Sequence, residues 1–193
     1  MIDAIIGYGG FWNINKFLRF FYDKKRASNL TSAFHATNAI ILSSLYLKYN
    51  EHRILNYLTH FSTGYFLFDA IDILFNQKLT PVQLGYIYHH ISSLYLVQRQ
   101  QYPHLVTSVF FWGELSNIPG YFLYHYLHTK GNHQKKIKLL RILQKWIYVK
   151  IRIFILTKII YDFIQKNEDF SSLLPVFPVY FMGVGWSLKI LSQ

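Results

Sequence analysis

Long apolar blocks that carry ionisable residues in their middle are the feature that most limits how this chain can fold. Residues 86–96 read YIYHHISSLYL, and residues 64–74 read GYFLFDAIDIL. A helix of about 20 mostly apolar residues matches the thickness of the hydrocarbon core of a bilayer. A chain built from such blocks is expected to be a multi-pass membrane protein.

The composition agrees with this class. Of 193 residues, 52% are hydrophobic and 19% aromatic, whereas 15% are charged. Soluble domains carry roughly 25% charged residues. The length suits one compact domain, and the absence of cysteine excludes a disulfide framework and thiolate chemistry. The net charge of +11 is spread between apolar blocks instead of forming one basic face, so no nucleic-acid partner is expected.

The blocks predict an all-α bundle of six to seven transmembrane helices around a polar intramembrane cavity. The candidate spans are residues 29–48, 54–75, 81–97, 105–127, 146–163 and 173–191. A weaker segment, 2–22, contains Lys16 and Arg19 and either crosses the membrane or lies in its interface. We therefore divide the chain into residues 1–28, the weak or interfacial helix, and residues 29–193, the transmembrane domain.

The basic residues predict the orientation, because cytosolic connections are enriched in lysine and arginine. One side of the predicted bundle carries Lys16, Arg19, Lys24, Lys25, Arg26, Lys78, Lys130, Lys135, Lys136, Lys138 and Arg141. The opposite side carries Lys48, Arg53, Arg99 and Lys166. The first side, and with it the C-terminus, is expected to face the cytosol.

The ionisable and polar residues recur at helical spacing, so each segment has one polar stripe. Hydrocarbon does not solvate charges, so these stripes are expected to meet in a shared cavity. The stripes are His35 with Thr31 and Asn38; Tyr65, Asp69 and Asp72 with Ser62 and Asn76; Tyr86 and His90 with Gln83 and Ser93, His89 lying to one side; and Glu114, Asn117 and Tyr121 with Thr107, Tyr124 and His128.

Two other interpretations of the polar residues stay open. Polar stripes in membrane bundles often serve as interhelical hydrogen bonds, although burial of Asp69, Asp72, Glu114 and His90 is more costly than that role explains. A basic stripe that ends at Arg152 either reaches toward lipid phosphates or binds an anionic group, such as the phosphates of coenzyme A. Arg152 lies deepest in this stripe and is expected to pair with a buried carboxylate.

Four motifs in this order and spacing resemble the TLC-domain family, which includes the ceramide synthases and smaller TLC-domain membrane proteins. The motifs are NLTSAFHATNAI, GYFLFDAIDIL, YIYHHISSLYL and GELSNIPGYF, followed by VKIRIFIL in the next segment. The resemblance covers residues 29–191 and implies a bundle of six or seven spans in the endoplasmic reticulum or a related membrane. It also implies acyl transfer from acyl-coenzyme A to a sphingoid amine, with the family's histidines at His35, His89 and His90 and its aspartate motif at Tyr65 and Asp69.

The sequence departs from the ceramide synthases downstream of the tandem histidines. Their further His-Asp pair and aspartate are absent from FFWGELSNIPG. The ELS form resembles the smaller TLC proteins, which are described as regulators of membrane phospholipid composition. The resemblance therefore leaves both acyl transfer to another lipid and lipid regulation open.

Three functions follow from these residues. In an acyltransferase, His90 is the base and His89 or Asp69 orients it or polarises the carbonyl, because imidazole exchanges protons near neutral pH. In a lipid-binding regulator, the same cavity holds membrane lipid without catalysis. In a metal enzyme, the His and Asp/Glu groups hold zinc or iron, although the HxxHH spacing of membrane di-iron enzymes is absent from YIYHH.

The expected partners are membrane lipids and, for acyl transfer, acyl-coenzyme A as co-substrate; no bound cofactor or metal is expected. The residues expected to bind substrate are His35, Tyr65, Asp72, Tyr86, Glu114, Asn117 and Arg152.

Overall fold

A computed structural model of the protein describes residues 2–166, 173–174 and 176–192, and its regular elements are all helices. The helices are α1 (Ile2–Leu18), α2 (Lys24–Tyr49), α3 (His52–Asn76), α4 (Pro81–Val97), α5 (Pro103–Leu127), α6 (Gln134–Val149), α7 (Leu156–Lys166) and α8 (Phe177–Leu191). A π-helical segment, Lys150–Ile155, joins α6 to α7. The predicted all-α fold is confirmed.

The predicted apolar segments coincide with these helices, but the membrane arrangement remains a prediction. Segment 81–97 matches α4, and segments 29–48, 54–75 and 105–127 lie within α2, α3 and α5. Throughout the part of the chain that the structure covers, no helix is both long enough and apolar enough to cross a membrane. The predicted polar connection that follows Lys166 falls mainly outside the residues that the structure describes.

The helix boundaries follow from local sequence signals. The Asp23 side chain caps α2 by accepting a hydrogen bond from the Arg26 backbone N–H, and Thr80 caps α4 in the same way through Gln83. Proline opens both α4 and α5, where its missing N–H costs nothing. Asn50 ends α2 in the left-handed conformation, with φ 53°. These signals fix where the long helices turn back on one another.

Helix α1 packs against α3 through two glycines at their crossing. A Cβ atom placed on Gly64 would lie 2.6 Å from the backbone carbonyl carbon of Gly7. The absence of both side chains lets the two backbones approach closely. This approach inserts Phe11 into the bundle and lets Asn15 donate a hydrogen bond of 3.1 Å to Thr31 of α2. Residues 2–18 are therefore an integral helix of the bundle.

Helices α2 and α5 run antiparallel along each other. Near one end, Asn29 donates a hydrogen bond of 3.1 Å to the carbonyl oxygen of Tyr121. Near the other end, the rings of Tyr46 and His104 lie 5.7 Å apart. Ala27, Ala36 and Ala39 of α2 are completely buried. Such small side chains let neighbouring helices approach closely.

The main core is aromatic and lies along α3. Its largest members are Phe11, Tyr65, Phe66, Phe68 and Phe110, which come from α1, α3 and α5. The ring of Phe11 lies 5.3 Å from that of Tyr65, and the ring of Phe66 lies 5.9 Å from that of Phe110, both edge-on. Edge-on aromatic pairs each contribute about 0.5–1.5 kcal/mol beyond their burial. These rings form an aromatic wall along α3, against which His35 and His90 pack.

Candidate functional site

A histidine–carboxylate pair joins α3 to α4. Nε2 of His90 lies 2.7 Å from Oδ2 of Asp69, and the two side chains are 5% and 15% exposed. Phe66 packs against the His90 ring at 5.5 Å, and Tyr65 meets it edge-on at 6.0 Å. The aromatic neighbours exclude water from this contact, which strengthens the interaction between the imidazole and the carboxylate.

The histidine of α2 lies on the same aromatic wall. The His35 ring stacks on Tyr65 with centroids 4.0 Å apart, and its Nε2 lies 3.1 Å from the Ser62 hydroxyl. Its Nδ1 faces Oε1 of Glu114 at 3.8 Å, a distance at the limit of an ion pair. The Tyr65 hydroxyl donates to Ser32 of α2 at 2.9 Å. His35 therefore links the α3 wall to the carboxylate of α5.

The third part of the cluster joins α5 to the π-helical segment. Arg152 donates from Nε to the Ser116 hydroxyl at 3.0 Å, and from one terminal nitrogen to the Gly113 carbonyl oxygen at 3.1 Å and to Asn117 Oδ1 at 3.4 Å. The Asn117 amide in turn donates to Glu114 Oε2 at 3.3 Å. Short π-helical insertions occur frequently at functional sites. Here the insertion presents the guanidinium to α5.

One cavity lies next to these contacts. Phe66, Glu114, Asn117 and Arg152 belong to its lining, whereas His35, Asp69 and His90 do not. Its polar lining consists of His89, Glu114, Asn117 and Arg152 with the hydroxyls of Ser92 and Ser93. Its apolar lining includes Phe66, Leu96, Val109, Phe110 and Val179. The volume is about 60 Å³, enough for several water molecules or a small polar group. The cavity is therefore amphipathic, because its lining combines charged and polar groups with hydrocarbon side chains.

The two tandem histidines differ in their relation to the cavity. His89 belongs to the lining, whereas His90 is buried beside it and the two ring centroids lie 5.5 Å apart. Nδ1 of each ring is buried without a hydrogen-bond partner in the described structure. Because Nε2 of His90 is engaged with a carboxylate, it serves as the donor, and the lone pair is then on Nδ1. Each ring thus carries one buried nitrogen without a partner, an arrangement that is uncommon in folded proteins unless a water molecule or ligand satisfies the atom.

Four of the predicted site residues line the cavity: His89, Glu114, Asn117 and Arg152. Four more form the contacts next to it, His35, Tyr65, Asp69 and His90, and the last two lie apart. Asp72 is turned away from this cavity and pairs with Arg19 of the segment after α1, at 3.0 Å. Tyr86 is half-exposed and packs against Trp186 of α8 at 5.3 Å, outside the cavity lining. The expectation that these two stripes point entirely into one shared cavity is therefore wrong for Asp72 and Tyr86.

The expected partner of Arg152 also differs from the one that the structure gives. Its hydrogen bonds go to neutral acceptors, and Glu114 is reached through Asn117. The sequence stripe did not include Ser116 and Gly113. Their spacing of three places them on one face of α5, where small residues leave room for a long side chain. The spacing of Gly113 and Ser116 was therefore the sequence signal that could have predicted where Arg152 packs on α5.

Among the residues that the structure describes, no three His, Asp or Glu side chains form a group that could hold a metal ion. The histidine-carboxylate contacts instead occur as separate pairs.

Comparison with known proteins gives no relative. No protein-family model matches the chain. Searches of the curated proteins and of the solved structures likewise return no significant match.

Proposed function

We propose that the protein is a multi-pass membrane protein of the TLC type that transfers an acyl group from acyl-coenzyme A to an amine or hydroxyl of a lipid. The observation that carries the proposal is the buried pair of His90 and Asp69, 2.7 Å apart, beside an amphipathic cavity. A base held by a carboxylate, next to a space lined by both polar and apolar side chains, suits a reaction between a polar nucleophile and a fatty acyl chain.

The chemistry assigns a role to each group. Asp69 accepts a hydrogen bond from Nε2–H of His90, which leaves the Nδ1 lone pair to take the proton of the attacking amine or hydroxyl. The nucleophile bonds to the thioester carbonyl carbon, the carbon–sulfur bond breaks, and the coenzyme A thiolate leaves with the proton that His90 had taken up. His89 is in the cavity lining, so it is placed to donate a hydrogen bond to the carbonyl oxygen as negative charge develops there.

Placement in a membrane is supported by the outer surface of the helices. Phe75 and Trp146 are 81% and 73% exposed. Exposed apolar surface on this scale marks contact with lipid or another apolar partner. Further exposed apolar side chains are Phe34, Ile41, Tyr57, Leu84, Ile91, Phe122, Phe154 and Phe181.

The lengths of the main helices also support this placement. Helices α2, α3 and α5 contain 26, 25 and 25 residues. At about 1.5 Å per residue, such helices match or exceed the roughly 30 Å hydrocarbon core. In the proposed orientation, α1 ends and α2 begins on the cytosolic side, the C-terminus is cytosolic, and the membrane is the endoplasmic reticulum or a related endomembrane.

A second candidate function is non-catalytic binding of membrane lipids by the same cavity. It is favoured by one observation: His90 is buried next to the cavity but is absent from its lining. A small group bound in this space therefore need not touch the imidazole that acyl transfer requires. The GELS motif, which resembles that of the smaller TLC proteins, agrees with this function.

Turnover by the purified protein separates the two functions. The protein in detergent is mixed with acyl-coenzyme A and a set of lipid amines and alcohols, and products are identified by mass spectrometry. We expect an acylated lipid and free coenzyme A in equal amounts. Lipid that copurifies with the protein without any turnover would contradict acyl transfer and favour the binding function.

A further inference from the structure

A second cavity lies between α1 and α3, at the end where α1 turns into α2. Its lining includes Trp12, Asn15, Lys16, Arg19, Asp72 and Asn76. Its volume of about 160 Å³ exceeds the 60 Å³ of the first cavity. The two cavities share no lining residue. The second cavity is therefore a separate site.

The floor of this cavity is a fully bonded buried carboxylate. Asp72 is 6% exposed and accepts hydrogen bonds from Arg19 at 3.0 Å and from the Asn76 amide at 3.0 Å. Gln77 donates to its second oxygen at 3.4 Å. Because one terminal nitrogen of Arg19 is tied to this carboxylate, the guanidinium is held at the cavity with its remaining N–H groups free to donate.

The rim of the cavity holds a second cation. The Lys16 ammonium lies over the Trp12 ring, 4.4 Å from its centroid. No carboxylate in the described part of the chain forms an ion pair with Lys16. The two cations and one carboxylate leave a single net positive charge around the space. That charge matches a monoanion.

The surroundings indicate the kind of molecule that supplies the anion. Phe17, Phe20 and Phe21, beside the cavity in sequence, are exposed. Lys24, Lys25 and Arg26 follow directly. Aromatic residues next to basic ones are typical of the level of the lipid head groups. Exposed apolar rings would contact acyl chains while Lys16 and Arg19 contact phosphate.

We propose that this cavity binds the phosphodiester of a membrane phospholipid, with Lys16 and Arg19 as the phosphate ligands and Asp72 as the residue that positions Arg19. The location of the site at a head-group level rests on the proposed membrane placement. The phosphate contacts rest on the cavity itself. Such a site would fix α1 against α3 by a bound lipid and is separate from acyl transfer.

The test measures the affinity of the full-length protein in detergent for dioctanoyl phosphatidylglycerol. Dioctanoyl glycerol, which lacks phosphate, and inorganic phosphate are measured in parallel. We expect Lys16→Gln to weaken binding of the phospholipid about tenfold, the loss of one charge-assisted contact. Lys25→Gln removes the same charge from an exposed position outside the cavity lining and should change the affinity less than about twofold.

A second variant removes the other ligand without leaving a buried charge unpaired. The double substitution Arg19→Gln and Asp72→Asn should weaken binding of the phospholipid at least as much as Lys16→Gln does. The proposed phosphate site would be overturned if Lys16→Gln and Lys25→Gln weakened phospholipid binding equally. It would also be overturned if the protein bound dioctanoyl glycerol as tightly as dioctanoyl phosphatidylglycerol. Displacement of the phospholipid by inorganic phosphate at a similar concentration would overturn the assignment to lipid. No acyl-coenzyme A is present, so absence of acyl transfer does not affect the result.

Discussion

Replacement of His90 by alanine is expected to lower the rate of acyl transfer by about 10²–10⁴-fold, the usual contribution of a positioned general base. The variant loses the proton acceptor and leaves Asp69 buried without its imidazole partner at 2.7 Å. The measurement is the initial rate of acylated-lipid formation at saturating acyl-coenzyme A. The Michaelis constant should change little, because a general base acts on the nucleophile's proton in the transition state and adds little to substrate binding in the ground state.

The matched control is His52→Ala, which removes an exposed histidine at the start of α3 and should retain the wild-type rate. Asp69→Asn should lose most of the activity as well. An amide can donate a hydrogen bond to Nε2, which shifts the ring proton to Nδ1. Nδ1 can then no longer accept the proton of the nucleophile. If the His90→Ala protein forms product at the wild-type rate, His90 is not the general base of the reaction.

Replacement of Gly64 by alanine is expected to have the largest effect on the fold. The new Cβ atom would lie 2.6 Å from the carbonyl carbon and 2.7 Å from the Cα atom of Gly7, and 2.8 Å from the Tyr8 nitrogen. These are backbone atoms, so the clash is relieved by moving α1 away from α3. Such overpacking costs about 1–3 kcal/mol or more. The thermal unfolding midpoint in detergent should fall by several degrees.

The control for this substitution is Gly9→Ala on α1, where an added Cβ meets nothing within 4 Å. Alanine in the interior of a helix stabilises it by about 0.5–1 kcal/mol relative to glycine. The two alanine substitutions should therefore shift the midpoint in opposite directions. A Gly64→Ala protein that is as stable as Gly9→Ala would mean that α1 does not cross α3 at these glycines.

The sequence predicted the helices well because their ends carry local signals. Pro81 with Thr80 defines the start of α4, and the apolar block that follows defines its length. For α5, the predicted segment 105–127 begins two residues after Pro103, which opens the helix. The cluster of His35, Asp69, His90 and Glu114 also followed from spacing, because a carboxylate or imidazole on an apolar helix needs a polar neighbour.

Side-chain direction within a stripe could not be predicted from spacing alone. Asp69 and Asp72 are three residues apart, which separates them by about 60° around the helix axis. Helix α4 packs on one side of α3 and α1 on another, so Asp69 meets His90 while Asp72 meets Arg19. The position of α1 depends on the contact of Gly7 with Gly64, and the spacing of polar residues does not predict that contact.

The π-helical segment was equally outside the reach of sequence spacing. Regular helical periodicity in VKIRIFIL predicts a stripe that carries Arg152 toward a buried carboxylate. The extra residue in the π turn changes the phase of the helix at this point. Arg152 then donates to Ser116, Asn117 and a backbone carbonyl oxygen instead.

The most direct test of the central claim is photolabelling with a fatty acyl-coenzyme A that carries a diazirine close to the thioester. The reacting end of the acyl chain should enter the cavity between α4, α5 and the π-helical segment. Labelled peptides should contain Leu96 and Val109–Phe110, and an excess of unlabelled acyl-coenzyme A should abolish the labelling. Label that is confined to outward-facing residues such as Phe75 and Phe154, or that resists competition, would contradict the account.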